Sequence, residues 1–228
     1  MTEAPKPISF ELIRAKRRSL SIAVTAQGCV VVRAPLRMSR RDIDALVQGK
    51  RAWIEEKQAA AARRAALHPQ REAAAGEELL YLGQPLLLVF SDAVKRPELM
   101  EHTLALPRAW QTQADAAVRA WYRLAALAHL RQRVAHFSRA YGIPYAFVGV
   151  TSARRRWGSC NAGGRLNFAW RLILCPPDVV DYVVVHELCH VRELNHSAAF
   201  WAQVKAILPA YERQLAWLKE HNGILNLF

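Results

Sequence analysis

Residues 186–196 read His-Glu-Leu-Cys-His-Val-Arg-Glu-Leu-Asn-His, and this stretch is the most informative in the chain. His186 and His190 are four residues apart, so on an α-helix they lie on one face about one turn apart. Two imidazoles at this spacing can both reach one Zn²⁺ at about 2.0–2.1 Å. Glu187 lies about 100° around the helix from His186. It is thus beside the metal, where a general base can take a proton from metal-bound water. The spacing is that of the zinc-hydrolase signature His-Glu-x-x-His.

His196 is the expected third ligand. It follows His186 by ten residues, which on an unbroken helix would place it about 15 Å further along the axis, so the chain must turn back. The 0/4/10 spacing matches the metzincin pattern, but Glu193 stands where those enzymes carry glycine. We therefore expect the turn at Asn195, which tolerates the left-handed conformation, with Ser197 capping a new helix. Two alternatives stay open: a carboxylate ligand from Glu193, and histidines that face solvent or core without metal.

Length, composition and cysteine usage indicate an intracellular globular protein. With 228 residues, 52% of them hydrophobic, the chain can bury a substantial core. The first residues lack the apolar stretch of a signal peptide, and apolar runs such as residues 86–90 are too short to span a bilayer. The four cysteines show no Cys-x-x-Cys spacing, which is typical of reduced thiols. We expect a cytoplasmic protein with no membrane segment.

The net charge of +13 is large for this length, and residues 14–18, 37–51 and 63–64 carry much of it. A basic surface of this kind attracts nucleic acid or other polyanions. The alternative is that arginines simply occupy solvated helix faces. Contact with nucleic acid or nucleotides is therefore possible on charge alone, and the oligomeric state is not indicated.

The order of predicted elements indicates an α+β fold. Short strands at residues 8–14, 20–25 and 29–33 precede a helix that begins with a capping box at Ser39 and continues to Leu67. Two strands, 81–90 and 103–106, follow. A second capping box, beginning at Thr112, opens a long amphipathic helix that ends at Gly142.

The carboxyl-terminal half is predicted to hold the metal-binding helix. A strand at 147–151 and a hairpin of 156–160 with 165–173 precede Pro177, which suits the first turn of a helix. The apolar residues 179–185 predict that this helix is buried and holds its imidazoles rigidly. Two further helices, 198–208 and 210–220, end the chain. We predict an N-terminal β-rich region with one long helix over residues 1–110 and a catalytic domain over residues 111–228.

Several stretches together resemble the YgjP-like metal-dependent hydrolases, which are relatives of the SprT and WLM zinc peptidases. They are Arg-Trp-Gly-Ser-Cys at 156–160, Leu-Asn-Phe-Ala-Trp-Arg-Leu-Ile at 166–173, Asn-His-Ser at 195–197, Phe200-Trp201, residues 31–35 and Trp53-Ile54. The resemblance implies a zincin-like metallopeptidase domain, a small sheet over the active-site helix. It also implies that His186, His190 and His196 bind one Zn²⁺ per chain and that Glu187 is the base.

The Arg-Trp-Gly-Ser segment, Arg156, Trp157, Gly158 and Ser159, has two interpretations. As a substrate-binding strand, it could pair with an extended peptide, with Gly158 allowing a close approach of the backbone. As a structural element, Trp157 would cover the helix core while arginines 154–156 lie in solvent. Those arginines could also hold phosphates beside the metal.

These observations favour a zinc-dependent hydrolase, a metallopeptidase acting on a peptide or protein. A metal-dependent nucleoside triphosphate pyrophosphohydrolase is the alternative within enzymes, but that chemistry usually uses Mg²⁺ held by carboxylates. A basic nucleic-acid-associated module with structural zinc is the alternative outside enzymes. Structural zinc sites are closed by four protein ligands, and the sequence offers three. The physiological substrate is not indicated.

Overall fold

The computed structural model describes residues 7–25, 27–67 and 73–228. The chain divides into two units, Met1–Pro69 and Gln70–Phe228. The proposed boundary after residue 110 falls inside the second unit. This is because apolar residues of the strands between 78 and 107, such as Leu88 and Leu104, belong to the same core as the long helix and the helix of His186.

The first unit contains a three-stranded sheet and two helices. Strands β1 (Glu11–Ala15) and β2 (Ser21–Val24) flank β3 (Val30–Pro35), with β1 parallel and β2 antiparallel to it. The unit's buried core consists of Val30, Val32, Ala34, Ile43, Val47 and Ile54. Alternation along β3 places its apolar residues on the face that packs in this core.

Helices α1 (Arg40–Gly49) and α2 (Arg51–Leu67) occupy the stretch where one continuous helix was predicted. The Ser39 cap is confirmed, because its hydroxyl accepts a hydrogen bond from the backbone N–H of Asp42 at 3.1 Å. Lys50 ends the first helix with φ −105° and ψ 13°, outside the helical region, so the chain changes direction there.

The second unit begins with a four-stranded sheet in the order β4-β5-β7-β6. Its strands are β4 (Glu78–Tyr81), β5 (Gln84–Ser91), β6 (Glu98–Met100) and β7 (Thr103–Pro107). The single strand predicted for residues 81–90 is wrong, because β4 and β5 form an antiparallel hairpin around Leu82 and Gly83. Both turn residues have positive φ, 50° and 76°, a conformation that the apolar pattern of the stretch does not reveal.

Helix α3 (Ala114–Tyr141) is 28 residues long and ends as predicted at Gly142, which has φ 60°. The capping box predicted at Thr112 is wrong. Residues 108–113 form a 3₁₀-helix, so Thr112 lies inside a helical turn and not in the extended conformation of a capping residue. The buried face of α3 comprises Val118, Tyr122, Ala126, Leu130, Val134 and Phe137.

A second small sheet has the order β8-β10-β9, from β8 (Phe147–Thr151), β9 (Gly158–Cys160) and β10 (Arg165–Ala169). The predicted hairpin is confirmed, since β9 and β10 are antiparallel. It is shorter than predicted, because residues 170–174 form a 3₁₀-helix. Among the described residues, β9 is an edge strand whose outer side has no paired strand.

Helix α4 (Pro177–Cys189) begins with proline in its first turn and is buried along most of its length, as predicted. Helices α5 (Ala198–Ile207) and α6 (Tyr211–Glu220) follow, and both pack against α4, as do α3 and β9. The α+β prediction is thus confirmed. In the part of the chain that the structure describes, no helix is both long and apolar enough to cross a membrane.

Candidate metal centre

The end of helix α4 positions the first two histidines. His186 lies in the last turn and His190 directly follows the helix with φ −64° and ψ −17°. The N–H groups of Arg192 and Glu193 both donate to the carbonyl of Cys189, at 3.1 and 3.0 Å. Helix α4 ends at Cys189, the chain begins to turn at residues 190–192, and it bends again at Leu194 and Asn195, so the bend predicted at Asn195 is present. No residue from 190 to 197, all of which the structure describes, has a positive φ. The left-handed conformation expected at Asn195 is therefore not used.

The third histidine returns to the first two through this turn. The side chain of Asn195 accepts a hydrogen bond from the N–H of Ser197 at 2.9 Å. The hydroxyl of Ser197 accepts one from the N–H of Phe200 at 3.2 Å, which confirms Ser197 as the cap of α5. His196 Nε2 then lies 3.1 Å from His186 Nε2, while His190 Nε2 lies 3.2 Å from the same atom.

The spacing of the three nitrogens fits one shared metal ion. Around a tetrahedral ion bound at about 2.0–2.1 Å, two ligand nitrogens stand about 3.3 Å apart. The two distances to His186 Nε2 are close to this value, and the candidate ligand atoms of all three histidines lie within 4.8 Å of one another. A single N–H at Nε2 of His186 could donate a hydrogen bond to only one of the other two Nε2 atoms. A shared cation, by contrast, could accept a lone pair from each of the three nitrogens.

A backbone carbonyl orients His190. Its Nδ1 lies 2.9 Å from the carbonyl oxygen of Glu193, which can only accept, so Nδ1 carries the hydrogen. The Nε2 atom therefore presents its lone pair to the cluster, the arrangement that outer hydrogen bonds impose on metal-binding histidines. Glu193 thus contributes its main chain, and its carboxylate is not part of the cluster that could hold a metal.

Burial keeps the cluster ready to bind a cation. Together with charge repulsion from the neighbouring His190 and His196, it lowers the pKa of His186 to about 3. Burial also lowers the pKa of His190, against the opposing hydrogen bond to Glu193. His186 and His190 are therefore neutral near pH 7, the form in which imidazole binds metal.

Glu187 points into a closed space between α4 and β9. Only 6% of the residue is exposed, and its Oε2 atom is buried without a hydrogen-bond partner among the described residues. Burial raises the pKa of its carboxyl to about 7, and Arg156 acts in the opposite direction. A Cβ on Gly158 would stand 2.5 Å from Glu187 Oε1. Because glycine has no Cβ, residue 158 leaves the space that this carboxylate occupies.

The other residues of the Arg-Trp-Gly-Ser segment have different surroundings. Arg156 is exposed, and its charge acts on Glu187. Trp157 is partly buried against the core, and its carbonyl accepts a hydrogen bond from the N–H of Ala169 at 2.8 Å. Ser159 lies opposite Asn167 in the β9–β10 pair. The structural interpretation of Trp157 agrees with its packing against the core, and Arg156 and Gly158 lie close to Glu187. Substrate binding by this segment stays a prediction.

Phe200 forms an apolar base under the histidines. Its ring centroid lies 4.9 Å from that of His186, 4.4 Å from His190 and 4.9 Å from His196. The residue is fully buried near the start of α5. One side chain therefore restrains all three imidazoles.

A column of stacked aromatic rings supports His196. Trp201 stacks on His196 at 5.7 Å, Tyr211 on Trp201 at 5.3 Å, and Tyr182 on Tyr211 at 6.1 Å. Sequence reasoning missed this column. Tyr182 precedes His186 by four residues, so helical spacing could have identified it. Tyr211 comes from a separate helix, and no local pattern links it to the site.

Comparison with known proteins identifies the family. The family model described as YgjP-like, metallopeptidase domain, matches residues 18–221. One similar solved structure is the metallopeptidase zymogen of Pyrococcus abyssi abylysin, with 15% identity over 40% of this chain and 93% of that chain and a TM-score of 0.37. No match was found among curated proteins. Because the family match extends over most of the chain and includes all three histidines and Glu187, the predicted family is confirmed: the protein belongs to the YgjP-like family by its metallopeptidase domain.

Proposed function

We propose that the protein is a zinc metallopeptidase in which His186, His190 and His196 bind the metal and Glu187 is the general base. The proposal rests on one observation. The Nε2 atoms of the three histidines lie close together at the end of α4, the helix that also bears Glu187. The carboxylate of Glu187 is buried and has an oxygen without a partner among the described residues. Membership in a metallopeptidase family supports the same proposal.

The donor set supports zinc as the metal. Zinc is commonly bound by imidazole nitrogen, whereas Mg²⁺ and Ca²⁺ take oxygen ligands. Catalytic zinc sites use three protein ligands and leave a fourth position for water or substrate, while structural sites use four. Three histidines form the cluster among the described residues. This count favours a catalytic site, with one Zn²⁺ per chain, over a structural one.

Glu187 is suited to move a proton during amide hydrolysis. Zinc, when bound, would act as a Lewis acid that makes water more acidic and the substrate carbonyl more electrophilic. Glu187, whose Oε2 has no hydrogen-bond partner among the described residues, accepts a proton from water as the water oxygen forms a bond to the carbonyl carbon. It then donates that proton to the leaving nitrogen as the carbon–nitrogen bond breaks. The products are a carboxylic acid and an amine.

The edge strand β9 offers a place for the substrate. Its outer side has no paired strand among the described residues, so an extended peptide can add to the sheet by backbone hydrogen bonds. Gly158 lies on this strand against Glu187, which brings such a peptide to the general base. Arg156, Trp157 and Ser159 would then contact neighbouring substrate residues.

The domain assignment and the cellular location belong to the same proposal. The zincin-like catalytic region, residues 111–228, lies within the second unit, and residues 1–110 precede it as an N-terminal extension. All four cysteines are free, which supports a reducing, cytoplasmic location.

The test combines metal analysis with hydrolysis of a peptide library by the zinc-loaded full chain. We expect about one Zn²⁺ per chain, with turnover by the wild type and a 10²–10⁴-fold lower kcat in Glu187→Gln, the range typical of a general base. Glu193→Gln is the matched control, because its carboxylate lies outside the histidine cluster. The proposal fails if zinc is not stoichiometric, or if Glu187→Gln retains full activity.

A further inference from the structure

A cavity of about 500 Å³ in the second unit is lined by four arginines. Arg119 and Arg123 come from α3, Arg154 from the loop between β8 and β9, and Arg171 from the 3₁₀-helix at 170–174. The remaining lining residues are Ala116, Ala120, Ser152, Trp170 and Phe228. None of these described residues is acidic, and none belongs to the histidine cluster.

Arg171 is almost fully buried, with 2% of the residue exposed. Its Nε donates to the carbonyl of Leu227 at 2.5 Å and its Nη2 to the carbonyl oxygen of Phe228 at 2.6 Å. Its Nη1 atom is buried and has no hydrogen-bond partner among the described residues. A buried guanidinium normally has its donors satisfied, so this nitrogen lacks an acceptor.

The other three arginines add charge that the cavity does not neutralise. Arg123 donates to the hydroxyl of Ser152 at 2.7 Å, and Arg154 donates to the carbonyl oxygen of Phe228 at 3.2 Å. Arg119 makes no hydrogen bond or ion pair with any residue that the structure describes. The main chain at Phe228 carries at most one negative charge, against four guanidinium groups.

The repulsion within the cluster also affects Arg171. Burial, together with the charges of Arg154 and Arg119, lowers the pKa of its guanidinium to about 10. Arg171 therefore remains positive at neutral pH but lies among like charges. A bound anion would relieve both the repulsion and the missing acceptor.

We infer that this cavity binds the phosphate group of a small molecule. Guanidinium groups bind phosphate through paired hydrogen bonds, and the four arginines approach from three different segments of the chain. A tetrahedral dianion offers acceptors in several directions, whereas a flat carboxylate offers two oxygens in one plane. The volume lies within the range of small-molecule sites, about 300–1,000 Å³, and the partly exposed Phe228 together with Ala116 and Ala120 supplies apolar surface for the rest of the ligand.

The inference is independent of the proposed peptidase activity and is tested by calorimetric titration of the full chain in EDTA at constant ionic strength. The probes are inorganic phosphate, phenyl phosphate and acetate. We expect saturable binding of both phosphates, tighter for phenyl phosphate because of the apolar surface, and no binding of acetate. His186→Ala should bind phosphate like the wild type, which separates this site from the metal centre.

The decisive variants are Arg123→Gln and the double substitution Arg119→Gln with Arg123→Gln. Each removed guanidinium should weaken phosphate binding about tenfold or more, because hydrogen bonds between two charged groups are stronger than those between neutral groups. Arg131→Gln is the matched control, an exposed arginine on the same helix that does not line the cavity. Because Arg123 is exposed, its single replacement is not expected to impair folding. Absence of saturable binding by the wild type overturns the inference, and so does equal weakening in Arg131→Gln and Arg123→Gln.

Discussion

A Cβ atom on Gly158 would stand 2.5 Å from Oε1 of Glu187, although the two residues are 29 positions apart in the chain. The same atom would lie 2.6 Å from Cγ and 2.8 Å from Cδ of Glu187. No real Cβ tolerates three such contacts, so any larger residue at position 158 must displace the carboxylate. The contact joins the edge strand β9 to helix α4, which also carries His186.

Gly158→Ala should therefore reduce catalysis without removing the metal. We expect kcat to fall by up to 10²–10⁴-fold, the full contribution of a general base, because the carboxylate moves away from its position. Zinc content should stay at the wild-type level. The control is Gly163→Ala in the β9–β10 turn, where the nearest atom to an added Cβ is 3.4 Å away and φ is not positive. Equal kcat values for the two variants would contradict the prediction.

The third ligand can be identified by zinc affinity. His196→Ala should weaken zinc binding by more than about 100-fold, because loss of a ligand exceeds the 10–100-fold cost of losing an outer-shell partner. Glu193→Gln should leave the affinity nearly unchanged, because Glu193 contacts His190 through its carbonyl oxygen. The measurement is competition with a fluorescent chelator. The opposite ranking of the two variants would assign the third ligand to the Glu193 carboxylate.

Trp201 should matter for zinc affinity although it binds no metal. Its ring stacks on His196, which is otherwise exposed, and Trp201→Leu removes this restraint. We expect an affinity loss of about 10-fold, the lower end of the range for residues that orient a ligand. Trp217→Leu is the control, because Trp217 stacks on His221, outside the cluster. A change of equal size in the control would show that the effect is a general loss of packing.

The metal-free protein should show two opposing effects of pH on stability. Burial raises the pKa of Glu187 from 4.5 to about 7, so between these values the folded state binds more protons and stability falls as pH rises. Burial lowers the pKa of His186 from 6.5 to about 3, so between these values the unfolded state binds more protons and stability falls as pH falls. Replacing Glu187 with Gln removes the first effect alone.

In EDTA, the Tm of Glu187→Gln relative to the wild type should therefore increase as the pH is raised from about 5 to about 8. Thermal unfolding followed by circular dichroism at several pH values measures this difference. A Tm difference that is constant over this range would show that Glu187 is not desolvated in the folded protein.

Much of the site was predictable because it depends on local spacing. The i, i+4 relation of His186 and His190 places them on one helix face whatever the rest of the fold does. Ser197 could be recognised as a cap for the same reason, because its partner is three residues away. The conformation of the chain before His196 was not predictable, because the expected left-handed φ at Asn195 is absent and the chain already begins to turn at residues 190–192.

The remaining features depend on contacts between distant segments. The packing of Glu187 against Gly158 was not predictable, because the two residues belong to different elements and are 29 positions apart. Tyr211 comes near the histidines because α6 packs so that its ring stacks between Tyr182 of α4 and Trp201 of α5. Arg171 appeared in a stretch predicted as a strand, and its burial among other arginines follows from the 3₁₀-helix that replaces that strand. None of these relationships has a period or motif in the sequence.

The contact of Phe200 with all three imidazoles links the helix α5 thermodynamically to whatever the histidines bind. A cation that holds the three rings in place also holds the surface on which Phe200 packs. Cation binding would therefore stabilise the packing of α5 against the rest of the unit. Backbone amides of Ala198–Ile207 should then exchange with deuterium more slowly when zinc is present, although none of these residues is a ligand. If the three histidines hold a metal ion, loss of that ion would therefore loosen α5, a segment that contributes none of the three imidazoles.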